Sequence, residues 1–299
     1  FAACFHHSLC KFAAVTIQEA TYYILNKLRS IYPDSESGSM TDLVMEFITG
    51  SGKAERMIYK NTAITPAEEK QVEELTKRLV KQEPVQYVLN QSWFCNLKFY
   101  VDKNVLIPRP ETEELVEWII TNCKFPVAEL KILDIGTGSG CIPVSLKRRI
   151  RKAEVWALDI SEPALEVAKR NAATLGTAVN FLHLDILDEK QWDQLPQFDI
   201  IVSNPPYVPE KNKDQMHPNV LQYEPGTALF VPDDDPLLFY KTITRFAKQH
   251  LADDGLLYFE IHEDIGKATS DLLHSEGFTT ELKKDMQEKD RMIRSGLSK

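Results

Sequence analysis

Cysteine is scarce in this chain and falls in no pattern. There are five, Cys4, Cys10, Cys95, Cys123 and Cys141, and none form a Cys-x-x-Cys pair. An odd count without that spacing argues against a disulfide scaffold or a cysteine-held zinc and fits a reducing compartment. Long apolar runs are missing too. None approaches the ~18 residues that span a bilayer, so no membrane partner is expected. Basic residues are outnumbered, with 35 Lys and Arg against 44 Asp and Glu, a net charge of -9. A general nucleic-acid binder carries a basic face, so no direct nucleic-acid partner is expected. No acidic residue precedes Glu19 and no arginine precedes Arg29. The opening stretch reads either as the tail of an organelle-targeting segment or as an artificial boundary. His6 and His7 have no partner at metal-ligand spacing, and no metal is expected.

What is present suffices for one large or two moderate domains: 299 residues, 43% of them hydrophobic. Residues 1–83 read as a small helical domain. Ile17, Ala20, Ile24, Leu25 and Leu28 recur at helical spacing, as do Leu43, Val44, Phe47 and Ile48 after a cap at Thr41. A third helix opens at Pro66, with Glu68 and Glu69 in its first turn, where the helix dipole favours acids. Pro33 to Ser39 reads as a polar connector. Residues 84–107 change character. Val85, Tyr87, Val88, Trp93, Phe94, Leu97 and Phe99 predict short strands and a linking β-hairpin. From 108 to 299 strands alternate with helices. Strands are expected at 131–135, 154–159, 179–183, 198–202 and 255–261, then near 278–284 and 290–295. Helices are expected at 141–150, 162–175 and 235–250. That order predicts an α/β fold, a doubly wound, mostly parallel seven-stranded sheet whose last strands run antiparallel at one edge.

Glycine is rare as well, yet three of the twelve lie in Gly136-Thr137-Gly138-Ser139-Gly140, directly after the strand Lys131–Ile135. Glycine lets a backbone turn tightly and approach a ligand. The spacing differs from the Gly-x-Gly-x-x-Gly of dinucleotide folds. The second strand ends in Asp159, a carboxylate able to accept both ribose hydroxyl protons of a nucleoside. Ser161 then caps the next helix, and the third strand leads to Asp185-Ile186. Acids at three successive strand ends, Asp134, Asp159 and Asp185, point to a ligand site rather than to strand caps. The apolar run Phe198–Val202 is followed, after Ser203, by Asn204-Pro205-Pro206-Tyr207. Paired prolines stiffen the chain as it leaves the sheet, where ligands of open α/β sheets bind.

Asn-Pro-Pro-Tyr in this setting resembles the amino-methyltransferases, and Asp134 before the glycine loop matches their pattern. The resemblance implies S-adenosylmethionine as cofactor and S-adenosylhomocysteine as product. It implies cofactor contacts from Asp134, Gly136, Thr137, Gly138, Ser139, Gly140, Asp159, Asp185, Ile186 and Asn204. In look-alike enzymes the residue at Ile186 packs on adenine and is often aromatic. An amide nitrogen is a poor nucleophile, so the site must hold it in line and favour charge developing on it. The Asn204 side-chain oxygen and the Pro205 carbonyl can accept both N–H bonds of a carboxamide. Pro205 and Pro206 have no backbone N–H to donate, and Tyr207 can pack on the planar amide. Arg109 reads as a substrate contact, as a brace for the glycine loop, or as a surface ion pair.

Wider segments narrow the family. Ile107-Pro108-Arg109-Pro110-Glu111-Thr112-Glu113, Pro84-Val85-Gln86-Tyr87-Val88, Tyr223-Glu224-Pro225 and Asp290-Arg291 join the glycine loop and Asn204–Tyr207. Together they closely resemble the HemK/PrmC family, protein-glutamine methyltransferases acting on peptide-chain release factors, over residues 66 to 295. The resemblance implies methylation of the glutamine in a Gly-Gly-Gln loop, with the helical domain contacting that protein. Two positions depart from the family pattern: Ile186, and His262-Glu263-Asp264, where a Gly and then a Gln are common. A nucleic-acid adenine or guanine amino-methyltransferase and a non-catalytic cofactor-binding partner are the competing readings. A monomer is expected, in mitochondria or otherwise in the cytoplasm. The basic cluster Lys147–Lys152 reads as a solvated helix end, and Asp233–Asp235 as a loop and helix cap.

Overall fold

The computed structural model describes residues 14–123 and 130–298, so Cys4, Cys10, His6 and His7 lie outside it. The chain divides into two compact units between Leu89 and Asn90. The first holds five helices: α1 (Ile17–Leu28), α2 (Asp34–Thr49), α3 (Lys53–Ile58), α4 (Pro66–Val80) and α5 (Val85–Leu89). Thr16 and Thr65 each form a reciprocal capping box with the glutamate three residues on, Glu19 and Glu68. Ile24, Leu28, Val44, Met45 and Leu79 fill the core between these helices.

Three expectations fail in this unit. The connector Pro33 to Ser39 is the first part of α2, so Thr41 is not a cap. It sits mid-helix with its hydroxyl donating to the Ser37 carbonyl at 2.7 Å. Asp34 and Glu36 favour the start of α2, and the backward bonds of Ser39 and Thr41 make its polar residues compatible with helix. Val85–Leu89 is helical rather than extended. Arg78 donates to the Tyr87 and Val88 carbonyls, each at 3.0 Å, which satisfies the end of so short a helix.

The second unit opens with the hairpin β1 (Ser92–Phe94) and β2 (Leu97–Phe99). Its turn residues Cys95 and Asn96 both have positive φ, 49° and 60°, the geometry that two-residue hairpins need. Next come α6 (Pro110–Asn122), β3 (Lys131–Ile135), α7 (Cys141–Arg149), β4 (Glu154–Asp159), α8 (Glu162–Thr174) and β5 (Asn180–His183). After them lie β6 (Phe198–Ser203), β7 (Val208–Pro209), α9 (Pro218–Tyr223), β8 (Phe230–Val231), α10 (Leu238–His250) and β9 (Leu251–Glu260). The last elements are α11 (Gly266–Ser275), β10 (Phe278–Lys284) and β11 (Asp290–Leu297).

Seven strands form one sheet in the order β10-β11-β9-β6-β3-β4-β5. The five from β9 to β5 are parallel, while β11 runs antiparallel to β9 and to β10. Alternate residues serve opposite faces, as strand geometry requires. Ile132, Val155, Ile200 and Tyr258 pack with Leu115 and Ile119 of α6 and Val144 of α7. Leu133, Leu158, Ile201 and Leu257 pack with Tyr240, Ile243 and Phe246 of α10. Val208–Pro209 and Phe230–Val231 pair in a small parallel sheet of their own. The helix cap expected within Asp233–Asp235 is absent, since the residue capping α10 is Leu237. Asp235 instead pairs with Lys241 at 2.6 Å.

Candidate active site

Strand register builds the site. Ile135 is level with Leu158 and with Ser203, and Ser203 is level with Phe259. One residue further on, Gly136, Asp159, Asn204 and Glu260 stand along the carboxyl edge of the sheet. A cavity of about 310 Å³ opens there. Its lining includes Gly136 and Gly138, Asp159 and Ser161, Asp185 and Ile186, and Asn204, Pro205 and Pro206. Asn104, Val105 and Leu106 cover one side, and Phe230, Phe239 and Ile243 another. Eight of the residues singled out from sequence therefore share one space.

The glycine loop is held by strand β4. Gly136 and Thr137 both donate to the Leu158 carbonyl, at 2.9 and 3.0 Å. Gly138 donates to Asp159 Oδ2 at 2.8 Å, and Ser161 to Asp159 Oδ1 at 2.9 Å. Burial pushes the Asp159 carboxyl up, and these backbone donors oppose that shift. At Gly136 and Gly138, φ is +75° and +52°, and an added Cβ would meet no atom within 4 Å. Both line the cavity, so the space a side chain would fill is open to a ligand, which fits a nucleoside cofactor lying against the backbone.

Asp134, Thr137, Ser139 and Gly140 do not line the cavity; they form the back of the loop. Gly140 has φ +77°, and a Cβ there would lie 3.0 Å from Ala168 Cβ of α8. Gly140→Ala is expected to lose about 2 kcal/mol or more of stability, from left-handed strain and this clash, read as a lower urea midpoint.

Asp134 is fully buried, with the Thr137 side chain beside it favouring the ionised form. Burial pushes its carboxyl from 3.8 up to about 7. Well below pH 3.8 the group is neutral folded and unfolded and adds no charge penalty; as pH rises the unfolded chain ionises first, and the deficit is complete above about pH 7. Asp134→Asn is expected to stabilise the ligand-free protein by about 1–3 kcal/mol at pH 8 and to change little at pH 4, measured by urea unfolding.

Two further residues sit away from the cavity. The Tyr207 ring packs on the second core and lies 5.7 Å from the His262 ring, tilted by 51°. Burial holds its phenol up at about 12, so it stays protonated. Arg109 donates to Glu224 Oε1 at 2.6 Å, and Glu224 Oε2 accepts from the Ile107 amide at 3.3 Å. An ion pair is present, but with a carboxylate whose side chain is 2% exposed, so it is not the surface pair expected. Three of the five residues of the basic cluster are engaged locally. Lys147 binds the Ala153 carbonyl, Arg148 that of Leu175, and Arg149 pairs with Glu117. Among the described residues no group of three His, Cys, Asp or Glu is placed to hold a metal.

Profiles described as "PrmC N-terminal domain" and "Methyltransferase small domain" match residues 19–89 and 112–223. The curated release factor glutamine methyltransferase of Flavobacterium psychrophilum is 44% identical over 270 residues, covering 89% of this chain and 94% of its own. The chain belongs to the release factor glutamine methyltransferase family. The Bacteroides thetaiotaomicron member is 39% identical over 274 residues, covering 91% of this chain and 97% of its own. A solved release factor-specific protein-(glutamine-N5) methyltransferase from Alicyclobacillus acidocaldarius is 25% identical. That match covers 67% of this chain and 100% of the other, with a TM-score of 0.42.

Sequence reasoning placed Asn171 and Thr112 in family-like segments but gave neither them nor Glu260 a structural role in this release factor glutamine methyltransferase family member. Asn171 of α8 exchanges hydrogen bonds with both the amide and the carbonyl of Tyr100, at 2.7 and 2.9 Å, and donates to the Ser139 carbonyl at 2.9 Å. It ties the chain leading to Asn104–Leu106 to the glycine loop. Thr112 donates to Glu260 Oε2 at 2.6 Å, and Asn204 Nδ2 donates to Thr112 Oγ1 at 3.3 Å. Burial pushes Glu260 up to about 7. Glu260 is a fourth acid at a strand end, so the signal that found Asp134, Asp159 and Asp185 extends to it.

Proposed function

We propose that the protein transfers a methyl group from S-adenosylmethionine to the side-chain amide nitrogen of the glutamine in the Gly-Gly-Gln loop of a peptide-chain release factor. The carrying observation is that Asn204 and Pro205 line the same cavity as Gly136, Gly138 and Asp159. A methyl acceptor and a nucleoside-bound donor can therefore meet there without any large movement. When bound, S-adenosylmethionine supplies an electrophilic methyl on a sulfonium. Gly136, Gly138, Asp159 and Asp185 hold the nucleoside, and Ile186 packs beside its base. Asn204 Oδ1 and the Pro205 carbonyl accept the two N–H bonds of the glutamine amide and stabilise the positive charge growing on its nitrogen. On transfer the nitrogen would take the methyl as sulfur keeps the C–S electron pair, and the proton it then sheds would pass to solvent. Pro206 keeps the segment rigid. Tyr207 acts from behind it, and Arg109 braces the segment before α6 through Glu224.

The helical unit, matched as a PrmC N-terminal domain, is assigned to contact the release factor, and the enzyme to act as a monomer. The relatives named above are bacterial, which leaves a mitochondrial location without support. Among the described residues no helix is long and apolar enough to cross a membrane. Incubation with methyl-labelled S-adenosylmethionine and either a release factor or RNA tests the reading. Label on the Gly-Gly-Gln peptide supports it; label on RNA, or no transfer, overturns it.

A further inference from the structure

The acceptor asparagine ends a chain of three side chains at the carboxyl edge. Asn204 Nδ2 lies 3.3 Å from Thr112 Oγ1, and Thr112 Oγ1 lies 2.6 Å from Glu260 Oε2. Thr112 is 3% exposed and Glu260 2%. A hydroxyl carries one proton and two lone pairs. Burial raises Glu260 to about 7, while Thr112 and Arg291 oppose the shift, so above that pH its carboxylate is ionised and can only accept. The Thr112 proton therefore goes to Glu260, and Thr112 has only lone pairs left to offer. Of the two ends of the Asn204 amide, only the NH2 can meet one. Packing barely distinguishes the oxygen from the nitrogen of an amide, so hydrogen bonds decide its orientation.

We propose that Thr112 and Glu260 are positioning residues for the transfer: Glu260 polarises Thr112, Thr112 captures the Asn204 NH2, and the Asn204 oxygen is thereby held toward the acceptor amide. This rests on the reading that Asn204 accepts a hydrogen bond from the substrate. Turned over, Asn204 would set its NH2 against the substrate NH2, and the acceptor nitrogen would lose one of its two partners. Neither Thr112 nor Glu260 lines the cavity, so both act through Asn204. Register supports the arrangement, because Glu260 follows Phe259, which is level with Ser203, the residue before Asn204.

Thr112→Val removes the hydroxyl and nearly keeps the shape. It is expected to lower kcat on a Gly-Gly-Gln peptide by about 10–100-fold while the Kd for S-adenosylhomocysteine moves less than about twofold. Thr112→Ser, which restores the hydroxyl, is expected to recover kcat to within about threefold of the parent. The Asn204 side-chain NH2 resonances, identified by their loss in Asn204→Asp, should shift in the valine variant and return in the serine variant. Thr112→Ala is read the same way should the valine variant fail to fold. Unchanged kcat and unmoved resonances in Thr112→Val overturn the inference. So does a serine variant no better than valine, which would assign Thr112 a packing role. If the parent protein methylates no Gly-Gly-Gln peptide, the functional reading fails, and the resonances alone decide whether Thr112 orients Asn204.

Discussion

Asn204→Ala is expected to lower turnover by about a thousandfold while the Kd for S-adenosylhomocysteine changes less than about threefold. An amide lone pair is delocalised into its carbonyl, so methylation needs the nitrogen held in line and its growing charge stabilised. In the proposed reading Asn204 supplies one of two acceptors for that charge, at a half-buried position beside the buried Pro205. In so dry a place one hydrogen bond is worth more than in water, and its strength rises as the nitrogen becomes cationic. The loss therefore falls on kcat rather than on cofactor binding, whose main contacts come from the β3 and β4 loops. Single-turnover transfer to a release factor, alongside calorimetric titration of the product cofactor, measures both. Turnover within about tenfold of the parent would falsify the assignment of Asn204 as the acceptor of the substrate amide.

Asp159→Ala is expected to weaken S-adenosylhomocysteine binding by about a hundredfold. Its two oxygens accept from Gly138 and Ser161, and the same carboxylate faces the cavity. The substitution thus removes the proposed ribose acceptor and leaves the Gly138 amide without its partner. Asp159→Asn keeps one oxygen for one of those amides and should fall between alanine and the parent. Affinity within about threefold for the alanine variant, by calorimetry, contradicts the role.

The sheet was legible because its strands are short apolar runs ended by Gly, Asp or Asn. Each strand between 131 and 202 falls within a residue or two of its expectation, and the register then aligns Gly136, Asp159 and Asn204. The start of α2 was hidden by Ser35, Ser37, Gly38 and Ser39, whose local composition says loop. Tertiary burial of Ser37 and Met40 overrides it. The helix Val85–Leu89 was hidden for the opposite reason, since its β-branched and aromatic residues say strand while Arg78 completes its carbonyls. At the site, single residues at strand ends could be read, but pairs could not. Thr112 and Glu260 are 148 positions apart, and Asn171 and Tyr100 are 71 apart. No local spacing encodes such a meeting.

The strand order carries a consequence for how the protein is made. On one side of β3 the sheet is laid down in chain order, β4 then β5, and is complete by His183. Asn171, the clasp between Tyr100 and Ser139, has been synthesised by then. On the other side lie β6, β9, β11 and β10, all made later. A chain emerging from the ribosome can thus pair β3, β4 and β5 before Asn204 has been made, and domains fold from the N-terminal end as they appear. The strands that present Gly136 and Asp159 can therefore be in place before the strand that presents Asn204 is added beside them.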